Sequence, residues 1–348
     1  MPKFSIISGI YNVSRFLQDK KLRCIIQQSY KDWELILVDD GSTDDSGRLC
    51  DELARVDCRI RVIHKKNEGL GSARNAGLDA ALGEYVWFYD VDDEAHLELL
   101  EYCAHKMESM NLEMLQFGFT AITPSINLKE DVHLNDHLIE TQEDFRDCYL
   151  DDILFIKYGN GFAWNKIIRR SFIEKHHLRY ENQRIQQDEV FNLKIYPLLQ
   201  RVYLSSDVLY DYYIYEKGNT RARFIPDRFD IYKSVREHFE KLKNFWLLSD
   251  KRLDDYLDKR FYTSVMQCML FNLTHPNCKW TKQQKKDEME RIMSDPLTIQ
   301  SFKYADTHER GLEQRLYRKA CRNQSLFQIK LYTSLFGMFH KTRKLLKK

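Results

Sequence analysis

Apolar and polar positions alternate between two periods through the first hundred residues. Phe4 to Ile10 is a β-branched run that stops at Tyr11-Asn12, and it predicts a strand. From Val13 to Tyr30 the spacing is helical, with Phe16, Leu17, Ile25 and Ile26 as the apolar positions. Trp33 to Val38 reads as a second strand, bounded by Asp39-Asp40-Gly41-Ser42. Ser42 to Val56 reads as a helix with Ser42 or Thr43 as its cap. Arg59 to Ile63 alternates like a strand, Ser72 to Leu82 like a helix, and Tyr85 to Tyr89 is an apolar strand that ends at Asp90. Strands alternating with helices predict a mostly parallel sheet covered on both faces. Ligands of such sheets bind outside the carboxyl ends of the strands, at a switch point.

The polar clusters fall at those ends. Tyr11-Asn12, Asp39-Asp40, Asn67-Glu68-Gly69 and Asp90-Val91-Asp92-Asp93 follow the four strands in turn, so they are expected to converge on one edge. After about residue 115 the pattern is mixed, with Gly161 to Lys166 and Gln186 to Phe191 standing out. Beyond Pro226 it becomes helical and highly charged, as in Asp230 to Trp246 and Leu253 to Leu273. Gly218 and Pro226 punctuate a boundary between Tyr215 and Asp227.

Composition narrows the class. At 348 residues, with 43% hydrophobic and 30% charged positions, the chain can bury a real core. Twenty Tyr and twenty Phe suit either a sugar-lined cleft or the core itself. A net charge of +2 argues against wholesale nucleic-acid binding, and no nucleic-acid partner is expected. None of the eight cysteines forms a Cys-x-x-Cys pair, which disfavours a zinc knuckle or a thioredoxin-like motif. The amino terminus lacks the features of a signal peptide, and no stretch offers the roughly eighteen apolar residues of a spanning helix. The expectation is an intracellular protein with reduced thiols.

Three segments carry candidate chemistry. In Asp90-Val91-Asp92, two carboxylates two positions apart can address one ion, and hard oxygen ligands suit magnesium or manganese. The competing reading makes Asp92 or Asp93 the cap of a helix starting near Ala95. Asp39-Asp40 can accept hydrogen bonds from a nucleobase or ribose, or else cap a helix. Gly69 to Gly77 combines a flexible start, a helix amino terminus and Arg74, a set that suits phosphate groups. It does not match Gly-x-Gly-x-x-Gly and follows the third strand, so dinucleotide binding is disfavoured.

Taken in order, Ser5 to Asn12, Val38 to Asp44, Asn67 to Gly77 and Tyr89 to Asp93 resemble the successive signatures of family 2 glycosyltransferases. The similarity continues more faintly through Trp164-Asn165-Lys166-Ile167 and Gln187-Asp188-Glu189-Val190-Phe191, to about residue 215. The resemblance implies an α/β GT-A fold: a Rossmann-like, mixed, mostly parallel sheet flanked by helices, followed by a helical carboxyl-terminal region. Its divisions would be a nucleotide-binding half at 1–115, an acceptor half at 116–220 and a helical region with a basic amphipathic tail at 221–348. It implies an inverting, metal-dependent hexosyltransferase that uses a nucleotide-sugar donor, with uridine as the commonest base. The acceptor would be a glycan or lipid-linked hydroxyl in cell-surface polysaccharide synthesis. Tyr11, Asn12, Asp39, Arg74 and Asp90 would bind the nucleotide sugar, Asp39 reading the base and Asp90 the ribose. Asp92 would hold a divalent metal, Mn or Mg, and Asp188 would be the general base. Trp164 and Glu189 are candidates on the acceptor side, although Trp164 reads equally as core. Two departures are Gln187, where the family has Glu, and Ser8-Gly9, where many members have a proline. The competing classes are a non-catalytic nucleotide- or partner-binding module and a nucleotidyltransferase. The latter lacks its Gly-rich basic loop after the first strand.

The last segment is basic. No acidic residue follows Glu313, while ten Lys and Arg do, from Arg315 to Lys348. Between them Leu326 to Phe339 has the aromatic and aliphatic content of an interfacial helix. An anionic membrane surface is the expected partner, which places the protein on the inner face of the plasma membrane, although a helix docked on the protein body fits the same pattern. Lys217, Arg221 and Arg223 read as surface charges or as diphosphate ligands.

Overall fold

β1 (Phe4–Ile10) is buried over almost its whole length, because strands lie on both of its edges and helices on both faces. The computed structural model describes residues 1–18, 21–158, 161–215 and 223–345, with side chains as far as Phe336. Two units divide the chain: Met1–Gly218 with Asn244–Trp246, and Asn219–Lys243 with Leu247–Lys348.

In the first unit β1 leads to two short helices, α1 (Ser14–Gln18) and α2 (Arg23–Ile26), in place of the single helix expected over 13–30. The sequence carries the reason. At about 100° per residue, Phe16-Leu17 and Ile25-Ile26 would lie on opposite sides of one straight helix, so burying both pairs needs a break. β2 (Trp33–Asp39), α3 (Ser46–Val56), β3 (Ile60–His64), α4 (Leu70–Ala80) and β4 (Tyr85–Phe88) follow. α3 starts at Ser46, later than expected, and neither Ser42 nor Thr43 caps it. Asp45 stands at the cap without a side-chain bond, and Asp44 before it accepts from the Ser46 and Ser14 amides at 3.0 and 3.1 Å. α4 lies close on β1 because Gly77 has no Cβ; one there would come within 2.3 Å of Ile7 Cγ2.

β5 (Glu94–Ala95) pairs with the last strand, and α5 (Leu99–Ser109) begins only after it. The cap reading of Asp92 and Asp93 is therefore overturned. β6 (Met114–Thr123), β7 (Leu128–Val132), β8 (His137–Ile139), α6 (Gln142–Cys148), β9 (Lys166–Arg169), α7 (Arg170–Lys175), α8 (Gln187–Ile195) and β10 (Val202–Tyr213) complete the unit. The strands form one mixed sheet in the order β3-β2-β1-β4-β9-β6-β10-β5, with β7 beside β6 and β8 beside β10. β3, β2, β1 and β4 are parallel, whereas β9 runs opposite to both β4 and β6. The carboxyl ends of the first four strands thus share an edge with the amino end of β9 and the carboxyl end of β10.

The second unit is helical: α9 (Arg228–Phe245), α10 (Lys251–Met266), α11 (Lys282–Ser294), α12 (Pro296–His308), α13 (Leu312–Arg322) and α14 (Leu326–Leu345). Leu253, Leu257, Phe261 and Val265 recur every fourth residue along α10 and are all buried, the stripe of a core helix. Thr281 and Gln284 close a capping box at the start of α11. Asn272 fixes the start of the unit, accepting from the Ile225 amide (3.0 Å) and Arg228 Nε (3.2 Å) and donating to the Ile225 carbonyl (2.8 Å). Among the described residues no helix is long and apolar enough to cross a membrane.

Candidate active site

The switch point lies between β1 and β4, where the strand order reverses, and the polar strand ends surround it. Asn12 takes a left-handed backbone (φ 53°), and its side-chain oxygen accepts from the Thr43 amide at 2.8 Å, tying the β1 end to the β2 end. Tyr11 beside it is exposed. Asp39 and Asp40 diverge in role. Asp39 Oδ1 accepts from the Ser42 amide (3.0 Å), and Oδ2 faces His64 Nδ1 (2.9 Å). Burial pushes the Asp39 carboxyl up, but the bonds from Ser42 and His64 outweigh it and leave it below its usual value. Asp40 instead accepts from the Gly69 amide (2.7 Å), the Glu68 amide (3.0 Å) and Lys65 Nζ (2.9 Å), and so fixes the approach to α4. Gly69 there has φ 99°, a conformation that glycine adopts at little cost.

Asp90 to Asp93 form the next wall. Asp93 is buried and structural: it accepts from Tyr210 Oη (3.0 Å) and the Tyr213 amide (2.8 Å), while Tyr89 Oη donates to its carbonyl (2.7 Å). Lys21 donates to the Asp92 carbonyl (2.8 Å) and pairs with Glu94 (3.3 Å) instead of the Asp92 carboxylate. Burial and the neighbouring Asp90 push the Asp92 carboxyl up to about 6. Two repelling oxygen donors in a sheltered site fit a hard divalent cation, which would relieve both effects and complete its shell with phosphate oxygens and water. At the opposite edge of the sheet, His137, Cys148 and Asp152 bring ligand atoms within 4.8 Å of one another. Burial pushes that thiol up to about 12 and it donates to the Phe145 carbonyl (3.5 Å), so an ion there would have to displace both a proton and a hydrogen bond.

Arg74, on α4 and almost wholly buried, joins the site together. Its Nη2 lies 3.1 Å from Asp90 Oδ1, and its Nη1 donates to Asp188 Oδ1 at the start of α8. Tyr180 and Phe88 present ring faces to the guanidinium at 5.3 and 5.7 Å. Burial raises the Asp188 carboxyl above its usual value, against the pull of Arg74. Lys166, buried at the start of β9, donates to the Phe162 carbonyl (2.6 Å) and to Asn165 Oδ1 (3.0 Å). Burial pushes its amine down to about 7, with Asp188 acting in the other direction. A raised carboxylate held by one arginine, with a poised amine in its field, is chemically a proton acceptor.

Asp39, Asp90, Asp92, Arg74 and Asp188 thus gather at one sheet edge. Trp164 does not open onto it. The indole is 1% exposed, with Tyr210 and Phe162 stacked on it at 4.6 Å each, so no face is left for a sugar. This corrects its acceptor-side reading. Glu189 is half-buried, with its side chain against Gly161. Arg223 is exposed, and Lys217 and Arg221 lie outside the described residues. His64 and Lys21 were not singled out from sequence, Lys166 stood there only as part of the Trp164 to Ile167 block, and Asp93 only as a candidate cap. Lys166 carried a signal, a lysine inside the apolar run Ala163 to Ile168, and His64 ends its strand opposite Asp39 in parallel register.

Comparison with known proteins bears on the family and the fold. The pattern described as "Glycosyl transferase family 2" matches residues 5–177. The chain is 28% identical over 346 residues to the uncharacterized glycosyltransferase EpsJ of Bacillus subtilis strain 168, covering 95% of this chain and 96% of that protein. It is 30% identical over 276 residues to EpsH of the same strain, covering 71% and 75%. Among solved structures, S. aureus TarS 1–349 in complex with UDP-GlcNAc superposes with a TM-score of 0.59 at 18% identity, covering 97% of this chain and 92% of that one.

Proposed function

This chain belongs to glycosyl transferase family 2, and from that premise we propose that it moves a sugar from a uridine diphosphate donor to a hydroxyl of a glycan or lipid-linked acceptor, inverting the anomeric carbon. The observation that carries the reading is the bridge made by Arg74. It brings Asp188, 114 residues away in sequence, within one guanidinium of Asp90 at the end of β4. Asp39 accepts from the nucleobase edge, Asp90 from the ribose, and Asp92 holds the ion. TarS, of the same fold, is bound to UDP-GlcNAc in its crystal, which supports uridine as the first base to try.

In this reading Asp188 accepts the proton of the acceptor hydroxyl as that oxygen bonds to the anomeric carbon. The bond from that carbon to the diphosphate oxygen breaks on the opposite face. The elevated Asp188 carboxyl makes it a stronger base than a free aspartate, and Arg74 keeps it aimed. The chemistry supplied by a divalent ion at Asp92 is neutralisation of the departing diphosphate. Asp188→Asn removes the base and leaves the donor site standing. Transfer is expected to fall by about 100- to 10,000-fold, with UDP affinity within a few-fold of wild type in calorimetric titration. An Asp188→Asn variant of wild-type rate would refute the assignment. Titration with UDP, GDP, CDP and dTDP, with and without manganese, tests the donor class.

The described part of α14 supports a membrane-facing role for the second unit. Ile329 is buried, while Phe327, Leu331 and Leu335 form an exposed row at four-residue spacing, with exposed Lys330 beside it. Apolar side chains flanked by cations, in a segment without acidic residues, match an anionic lipid surface. That setting suits a lipid-linked acceptor.

A further inference from the structure

His64 stands between two carboxylates. Its Nδ1 lies 2.9 Å from Asp39 Oδ2 on β2, and its Nε2 lies 3.1 Å from Asp51 Oδ1 on α3. A neutral imidazole has one N–H and one lone pair, and so can satisfy only one carboxylate while repelling the other. Donation on both sides requires the imidazolium. The same two contacts raise the affinity of the ring for its second proton, in order Asp39 then Asp51, although half of the side chain is exposed.

The surroundings are built for this contact. α3 passes directly over it at Gly47, where a Cβ would come within 2.7 Å of Asp39 Oδ2 and 3.5 Å of His64 Cε1. The other titratable group facing Asp39 from α3 is the Cys50 thiol, which burial pushes up to about 12 and therefore keeps neutral. From the loop after β3, Lys65 is engaged by Asp40 and Glu68 and so does not compete for Asp39. The Asp39 carboxylate thus has two anchors, the Ser42 amide on Oδ1 and the His64 ring on Oδ2.

We propose that His64, held as an imidazolium between Asp39 and Asp51, positions the Asp39 carboxylate for the nucleobase, so that a proton on His64 sets donor affinity. The proposal rests on the reading of Asp39 as the nucleobase acceptor. Because its two carboxylates raise its proton affinity above the ordinary histidine value of 6.5, the ring is charged below that pH. As the pH rises through its elevated value the ring loses the proton, one carboxylate faces a lone pair, and Asp39 is free to turn. Donor affinity therefore falls on the alkaline side.

The test is calorimetric titration with UDP, without added metal, between about pH 6 and pH 8.5, below ionisation of the uracil N3 proton. Wild type is expected to lose affinity across that range on the order of tenfold, the value of one charge-assisted contact. His64→Gln keeps a donor without a titrating proton. It is expected to bind UDP about tenfold more weakly than wild type at pH 6, with that difference shrinking as the pH rises. Asp51→Asn, at a half-exposed position on α3, is expected to lower the His64 proton affinity read by imidazole NMR and to move the fall in UDP affinity to lower pH. Gly47→Ala pushes Asp39 away but keeps the titrating ring, so it should weaken binding and keep a pH dependence, shifted to lower pH. A His64→Gln variant that folds and retains the wild-type pH profile overturns the proposal, whatever its affinity at pH 6. If His64→Gln does not fold, an unshifted profile in Asp51→Asn overturns it instead. Asp39→Asn separates the two readings. Wild-type UDP affinity in that variant means that the nucleobase assignment itself has failed.

Discussion

Asp92 sits where its charge is costly without a partner, since burial and Asp90 together push its carboxyl up to about 6. A cation there competes with a proton for the same oxygens. The sign follows directly: above pH 6 Asp92 is ionised and open to metal, and below it the proton holds the site. Manganese affinity measured with UDP present is expected to drop about tenfold for each pH unit below 6, and Asp92→Asn to abolish the metal effect on UDP binding. Affinity that stays flat from pH 7 to pH 5 would rule out Asp92 as a ligand. Asp93, one residue on, has the opposite task. Its carboxylate accepts from Tyr210 Oη and the Tyr213 amide in the core. Asp93→Ala leaves the buried Tyr210 hydroxyl and the partly buried Tyr213 amide without their acceptor, and is expected to destabilise the protein by about 2–4 kcal/mol, read as a lower midpoint in urea. Adjacent aspartates that look equivalent in sequence differ because one side chain faces the cleft and the other faces β10.

At the scale of elements, α4 and α14 show how a helix face acquires a role. α4 lies against β1 because Ala73 and Gly77 are small, and that close approach points Arg74 at the sheet edge instead of at water. α14 does the reverse, burying Ile329 and leaving Phe327, Leu331 and Leu335 outward. Replacing those three with Glu should reduce flotation of the protein with anionic vesicles at least several-fold and leave its fold intact; equal flotation would reject the membrane reading. Substitution is the better test than truncation near Gln314, which would remove Arg318, Ala320 and Cys321, all buried in the second unit. The periodicity of the chain made α3, α4, β1, β2 and β4 legible to within a few residues. It failed over 13–30, where apolar residues on opposite sides of a notional helix meant two helices.

For the whole molecule, core formation sets the chemistry of its thiols. All eight cysteines are free, six are buried and Cys24 is half-buried, which leaves Cys58 exposed. One thiol is expected to react rapidly with a disulfide reagent in the native protein, and all eight after unfolding. Several fast-reacting thiols in the native state would contradict this burial. The sequence by itself determined the order of strands and helices in the first hundred residues and the polar clusters that end each strand. It could do so because strand and helix periods, turn residues and capping chemistry are local. It also offered Asp39, Arg74, Asp90 and Asp92 as candidate chemistry at strand ends and a helix start, and the resemblance to family 2 glycosyltransferases added Asp188 and the role of each. Only the tertiary structure decided what those residues face. Trp164 vanished into an aromatic stack, Asp40 and Asp93 became anchors, and Arg74 closed a bridge across 114 residues of chain. His64 gained its two carboxylates in the same way, from β2 beside it and α3 above it. Burial and hydrogen-bond partners depend on which distant segments the sheet brings side by side, and no local pattern records them.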